Sequence, residues 1–75
     1  MNAQEYSEAL QTLNWTQRHF ADAFGVDRRT AYRYAAGDTD IPGPAARLLR
    51  LLVMLRLTLS EEKFKDVLLA VLSTE

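Results

Sequence analysis

The chain contains no cysteine and only one histidine, His19. Without cysteine it can form neither a disulfide nor a thiolate metal site, and His19 has no second histidine at metal-ligand spacing. A Gly-rich phosphate loop and a cofactor fingerprint are also missing from the sequence. We therefore predict a protein that is not an enzyme and that uses no metal, no cofactor and no small-molecule ligand.

Long apolar runs are missing as well. The most apolar stretch, residues 48–59, is interrupted by Arg50 and Arg56 and is too short to span a bilayer. No signal peptide is visible at the start of the sequence. We expect a cytoplasmic protein without a membrane partner.

The 75 residues are enough for a single domain, covering 1–75, whose core is marginal on its own. Apolar residues nevertheless make up 48% of the sequence, which is high for a chain with so much surface. This excess predicts that part of the surface is buried against a second copy, in a homodimer.

The net charge of −1 does not by itself indicate nucleic-acid binding, but the charges are unevenly distributed. Residues 17–34 contain four arginines and two aspartates, a local charge of +2. Residues 44–57 contain three arginines and no acid, a local charge of +3. A near-neutral total is therefore compatible with a basic face.

The apolar spacing and the capping residues predict an all-α chain of about five helices. Asn2 and Glu5 are spaced as a capping box, and the first helix covers residues 3–13. Pro44 suits the first turn of a fourth helix over residues 44–57. Ser60 caps a fifth helix, which has a regular apolar stripe and reaches about residue 73.

Residues 16–37 are typical of two short helices joined by a tight turn. Thr16 and Asp27 are good N-caps for the two helices. Gly25 and Gly37 follow them, at positions where the backbone becomes left-handed at low cost only for glycine. This is the helix-turn-helix pattern.

The second helix of this motif, residues 28–36, has Ala31 and Tyr34 on its inward side. The residues left on its outward side are Arg28, Arg29, Tyr32 and Arg33. An arginine fork matches O6 and N7 of guanine in the major groove, so we expect these four residues to contact bases. The alternative is a solvated charged face.

Residues 10–52 resemble the Cro/C1-type (XRE-like) helix-turn-helix of phage and bacterial repressors. The matching residues, at the spacings of the family, are Thr16, Gln17, Phe20, Ala21, Gly25, Val26, Asp27, Arg29, Thr30, Tyr34 and Gly37. The sequence departs from the family pattern at Asp27, where Ser or Thr is common, and at Ala35 and Ala36, where a polar pair is frequent. The resemblance implies a lambda-repressor-like fold and sequence-specific binding to double-stranded DNA.

The resemblance also implies that Gln17 donates to a DNA phosphate, near the positive end of its helix. Additional phosphate contacts are expected at Arg18, Thr30 and Thr39. Arg18 has the alternative of pairing with Asp22 at i+4. Arg47 and Arg50 are open between contacting phosphate and screening the acidic connector of residues 38–43.

The fourth helix is apolar on more than one face, whereas an ordinary amphipathic helix buries only one. We therefore expect the last two helices to form the dimer interface. The residues predicted there are Leu52, Leu55, Leu59, Phe64, Leu68, Val71 and Leu72. A two-fold dimer would bind a palindromic operator.

These features together predict a dimeric DNA-binding repressor of its own or an adjacent promoter. The size suits a phage or mobile element, which would place the protein at the nucleoid of a bacterial cell or infected host. The alternative is an antitoxin-like or other protein-interaction module that uses the apolar C-terminal helices.

Overall fold

Five helices and no strand are found in residues 1–73, the part of the chain that the computed structural model describes. The helices are α1 (Ala3–Leu13), α2 (Gln17–Phe24), α3 (Arg28–Ala36), α4 (Gly43–Thr58) and α5 (Glu61–Leu72). The all-α prediction is confirmed. None of the helices in this part of the chain is long and apolar enough to cross a membrane.

The helices begin where the capping residues predict. The capping box of α1 is formed, with the Glu5 N–H donating to Asn2 Oδ1 at 2.8 Å and the Asn2 N–H donating to Glu5 Oε1 at 3.2 Å. The hydroxyls of Thr16 and Ser60 accept backbone N–H groups at the starts of α2 and α5. These bonds satisfy donors that the first helical turn leaves without an intrahelical partner.

α4 begins differently from the other helices. It starts at Gly43, one residue before the predicted start, and Pro42 at the cap position provides no side-chain hydrogen bond. Pro44 lies in the first turn, where its missing N–H removes no intrahelical bond. At the other end α4 includes Thr58, one residue beyond the predicted end.

Three helices end at residues with left-handed backbone. Gly25 after α2 has φ +67° and Gly37 after α3 has φ +82°. Asn14 after α1 has φ +58°, a conformation that asparagine tolerates better than most side chains. Gly37 also lies close to α1, since a Cβ added to it would be 3.6 Å from Ala3 Cβ.

α1 is central to the packing: it packs against both α3 and α4, while α2 packs against α3 and α5 against α4. Tyr6 of α1, Phe20 of α2 and Leu49 of α4 are almost completely buried. Trp15, between α1 and α2, is also buried. The helices on which the motif depends are therefore held on one shared core.

Two residues predicted for the dimer interface belong to this core instead. Leu52 is 8% exposed and Phe64 is 4% exposed, and both belong to the buried core, where α4 packs against α1 and α5. A residue buried within its own protomer offers almost no surface to a second copy. We therefore remove Leu52 and Phe64 from the predicted interface.

Candidate nucleic-acid interface

A three-residue turn, residues 25–27, connects α2 to α3. Gly25 reverses the backbone, and the Val26 N–H then donates to the Ala21 carbonyl at 3.0 Å. Val26 is half-buried and packs against the core. Asp27 begins α3 at once, because its Oδ1 accepts the Arg29 N–H at 3.0 Å.

The packing between α2 and α3 depends on small side chains. Ala21 on α2 and Ala31 on α3 are both buried, at 1% and 0% exposure. Short side chains let two helices approach closely, and both alanines belong to the core that α2 and α3 share. Tyr34 of α3 is buried as well, which confirms the predicted inward side of this helix.

The opposite side of α3 carries the four residues predicted to contact bases. Arg28, Arg29, Tyr32 and Arg33 are all exposed. Arg29, Tyr32 and Arg33 follow one another at i, i+3 and i+4, so they share one face of the helix. Arg28 lies at the edge of that face. The structure therefore brings these four residues together on one exposed helix.

The guanidinium groups on this face form no ion pair within residues 1–73. The only acid in residues 23–37 is Asp27, at the edge of the face. Three unpaired guanidinium groups and an exposed phenol can all donate hydrogen bonds to an external partner. The arrangement is suited to an anionic ligand that presents acceptors.

Gln17 is the first residue of α2 and is half-buried. Its Oε1 accepts a hydrogen bond from the Tyr6 hydroxyl at 2.5 Å. Its amide N–H groups make no hydrogen bond within the part of the chain that the structure describes. The spacing of the sequence does not predict the contact with Tyr6, because it joins residues eleven positions apart on different helices.

Burial raises the pKa of Tyr6 well above its usual range, and the nearby Tyr34 adds to this effect. The aromatic ring of Tyr6 lies edge-on to Phe20 at 5.1 Å and to Tyr34 at 5.8 Å between centroids. The Tyr6 hydroxyl therefore stays protonated and acts as a hydrogen-bond donor toward Gln17.

The remaining predicted phosphate contacts lie on three different segments. Arg18 is exposed on the first turn of α2 and forms no ion pair with Asp22. Thr30 is half-buried on α3, and Thr39 is exposed in the connector before α4.

Arg47 and Arg50 of α4 have different surroundings in the structure. Arg50 lies 3.9 Å from the carboxylate of Glu5, which belongs to α1 and not to the acidic connector. Arg47 is exposed and forms no ion pair within residues 1–73.

His19 lies on the exposed side of α2 and has an aromatic partner. Its ring stacks on Trp15 with centroids 4.5 Å apart and 19° between the planes. In the described residues, no group of three histidine, cysteine or acidic side chains is placed to hold a metal ion.

The largest apolar surface is on α4 and α5. Eight of the nine large hydrophobic residues exposed in residues 1–73 belong to these two helices, and the ninth is Tyr32. They are Leu48, Leu51, Met54 and Leu57 on α4 and Val67, Leu69, Val71 and Leu72 on α5. Of the residues predicted for the dimer interface, Val71 and Leu72 are exposed, and Leu55, Leu59 and Leu68 are half-buried.

The exposed side of α4 includes Leu48, Leu51 and Met54, which are not among the residues named above for the dimer interface. Leu48, Leu51 and Leu55 follow at i, i+3 and i+7, so they form one stripe along the helix, with Met54 beside it. The sequence shows this spacing, but it does not show which of the two apolar sides of α4 packs against α1.

No protein-family model, curated protein or solved structure matches this chain. What the site can do follows from its own residues. α3 offers guanidinium and hydroxyl donors, Gln17 offers an amide, and α4 and α5 offer an apolar face.

Proposed function

We propose that the chain is a sequence-specific, double-stranded DNA-binding transcriptional regulator. In this proposal residues 16–37 form a helix-turn-helix within a lambda-repressor-like fold, and α3 is the recognition helix. The observation that carries the proposal is the outward side of α3, where Arg28, Arg29 and Arg33 are exposed and unpaired.

Base contacts are assigned to Arg28, Arg29, Tyr32 and Arg33. An α-helix fits the major groove, where each base pair presents a distinct pattern of donors and acceptors. Arg29 and Arg33 are one turn apart on the same face, so they can reach successive positions along the groove. Tyr32 between them can contact a thymine methyl group or a phosphate.

Phosphate contacts are assigned to Gln17, Arg18, Thr30 and Thr39. Contacts of this kind fix the register of a protein on the duplex without reading its sequence. Gln17 supports this assignment most strongly, because its amide N–H groups are unpaired while its oxygen is already bonded.

We further propose that the active form is a homodimer formed through the apolar sides of α4 and α5. A two-fold dimer places two recognition helices on the half-sites of a palindromic operator, about 34–36 Å apart or a multiple of that. Linking two weak binding units raises affinity without new kinds of contact. Occlusion of its own or an adjacent promoter by the bound dimer is then the simplest mechanism of repression, and the setting is the cytoplasm of a bacterial or phage-infected cell.

A second candidate function is an antitoxin-like or other protein-interaction module. It is favoured by the same apolar surface on α4 and α5, which a different protein could cover. The two functions differ in the helix that contacts the partner.

The test is a titration of the isotope-labelled chain with random-sequence duplex DNA at low salt, followed by the backbone amide signals. We expect the largest shifts in α3 and in the first turn of α2. Shifts confined to α4 and α5, or none at all, would remove the DNA-binding proposal. Heparin is the control polyanion, and equal shifts with heparin would reduce the interaction to charge alone.

A further inference from the structure

Gln17 is held by a buried residue of another helix. Tyr6 is 1% exposed, and Gln17 is the only hydrogen-bond partner of its hydroxyl within residues 1–73. A buried hydroxyl without a partner is costly, so this bond stabilises the position of both side chains. Gln17 is thereby tied to the core through α1 although its side chain reaches the surface.

The partner atoms of the bond show how the Gln17 amide is oriented. The amide has one oxygen acceptor and two N–H donors, and the Tyr6 hydroxyl donates to the oxygen, Oε1. The amide oxygen therefore faces Tyr6, and the amide nitrogen with its two N–H groups points away. An amide turned the other way would present an acceptor outward, which repels an anion.

We propose that Tyr6 is a positioning residue for DNA binding: it fixes the Gln17 amide so that Nε2 donates to a phosphate oxygen of the duplex. This inference rests on the proposed function and assigns a role to a residue that never touches DNA. A pre-oriented donor loses less conformational freedom on binding than a free side chain does.

The test compares Tyr6→Phe with the unaltered chain in duplex binding at fixed salt. Removal of one hydroxyl should weaken binding roughly 3- to 10-fold, to operator and random duplex alike, because a phosphate contact carries no sequence information. Equal affinity of Tyr6→Phe and the unaltered chain would overturn the proposal.

Tyr34→Phe is the matched control. It removes the same atom from a neighbouring buried tyrosine whose hydroxyl has no hydrogen-bond partner in the described residues. We expect its affinity for duplex DNA to be unchanged. An equal loss in Tyr34→Phe would show that the effect comes from the aromatic core and would overturn the role of Tyr6.

Variants of Gln17 distinguish a positioning role of Tyr6 from an effect of Tyr6 on the stability of the fold. Tyr6→Phe combined with Gln17→Ala should bind no more weakly than Gln17→Ala alone, since Tyr6 acts only through Gln17. If the loss of affinity in the double variant equalled the product of the two single losses, this prediction would be contradicted.

Gln17→Glu keeps an acceptor for Tyr6 but loses the donors, so it should bind DNA more weakly than Gln17→Ala. If Gln17→Glu bound DNA as strongly as the unaltered chain, the proposal that the outward amide of Gln17 donates to DNA would be contradicted. If the unaltered chain bound no duplex at all, the proposed function would fail, and that result is distinct from a failure of any of these variants.

Discussion

The Glu5 carboxylate contacts both the start of α1 and Arg50 on α4. Its Oε1 accepts the Asn2 N–H in the capping box of α1, and its Oε2 lies 3.9 Å from the Arg50 guanidinium on α4. Both side chains of the ion pair are about half exposed, so solvent screens the attraction between them. The cap, rather than the ion pair, should account for most of the contribution of Glu5 to stability.

Substitution of Glu5 tests this ranking. Glu5→Ala should lower the free energy of unfolding by about 0.5–1 kcal/mol, because one helical donor loses its side-chain acceptor. Arg50→Ala removes only the exposed ion pair and should cost less than about 0.5 kcal/mol. Urea unfolding measures both, and a larger loss in Arg50→Ala than in Glu5→Ala would contradict the ranking.

Gly37 and Gly43 form a matched pair for backbone conformation. Gly37→Ala places a Cβ on left-handed backbone with φ +82°, so we expect a loss of about 1–2 kcal/mol in unfolding free energy. Gly43 is helical with no heavy atom within 4 Å of an added Cβ, so Gly43→Ala should be neutral or stabilise the fold by up to about 1 kcal/mol. Thermal unfolding of both variants measures the sign of each change in stability, and equal changes in the two variants would contradict this prediction.

These glycines and caps show what the sequence could predict. Thr16, Gly25 and Asp27 act on their own segments of backbone, so local spacing was enough to place the ends of α2 and the start of α3. The inward position of Tyr34 followed from the helical period in the same way.

The contacts between helices could not be predicted from local spacing. The hydrogen bond from Tyr6 to Gln17 and the pairing of Glu5 with Arg50 require the relative placement of two helices. The sequence places Leu52 at the dimer interface because two sides of α4 are apolar, and only the packing of α4 against α1 and α5 shows which side is covered.

The proposed dimer is tested with charges placed on the exposed apolar surface. Leu51→Asp and Val71→Asp alter residues that are 52% and 59% exposed, so both variants should fold. We expect at least one of them to sediment as a monomer and to bind the operator more weakly. If both variants remained dimeric at micromolar concentration, the stripe of Leu48, Leu51 and Leu55 and the Val71 face would be excluded.

Arg29 and Gln17 distinguish base contact from phosphate contact. At fixed salt, Arg29→Ala should cost about 1–3 kcal/mol on the operator and relax the preference at one base position. Gln17→Ala should weaken binding to all sequences by a similar factor. If Arg29→Ala instead weakened binding to all sequences by a similar factor, Arg29 would be a phosphate contact.

The central claim is that α3 reads a DNA sequence, and its most direct test is selection of bound duplexes from a random pool at physiological salt. We predict enrichment of a palindrome with half-sites about one helical turn apart, and a changed preference in the Arg29→Ala variant. Weak, salt-sensitive binding without any enriched sequence would contradict the account and shift attention to a protein partner for α4 and α5.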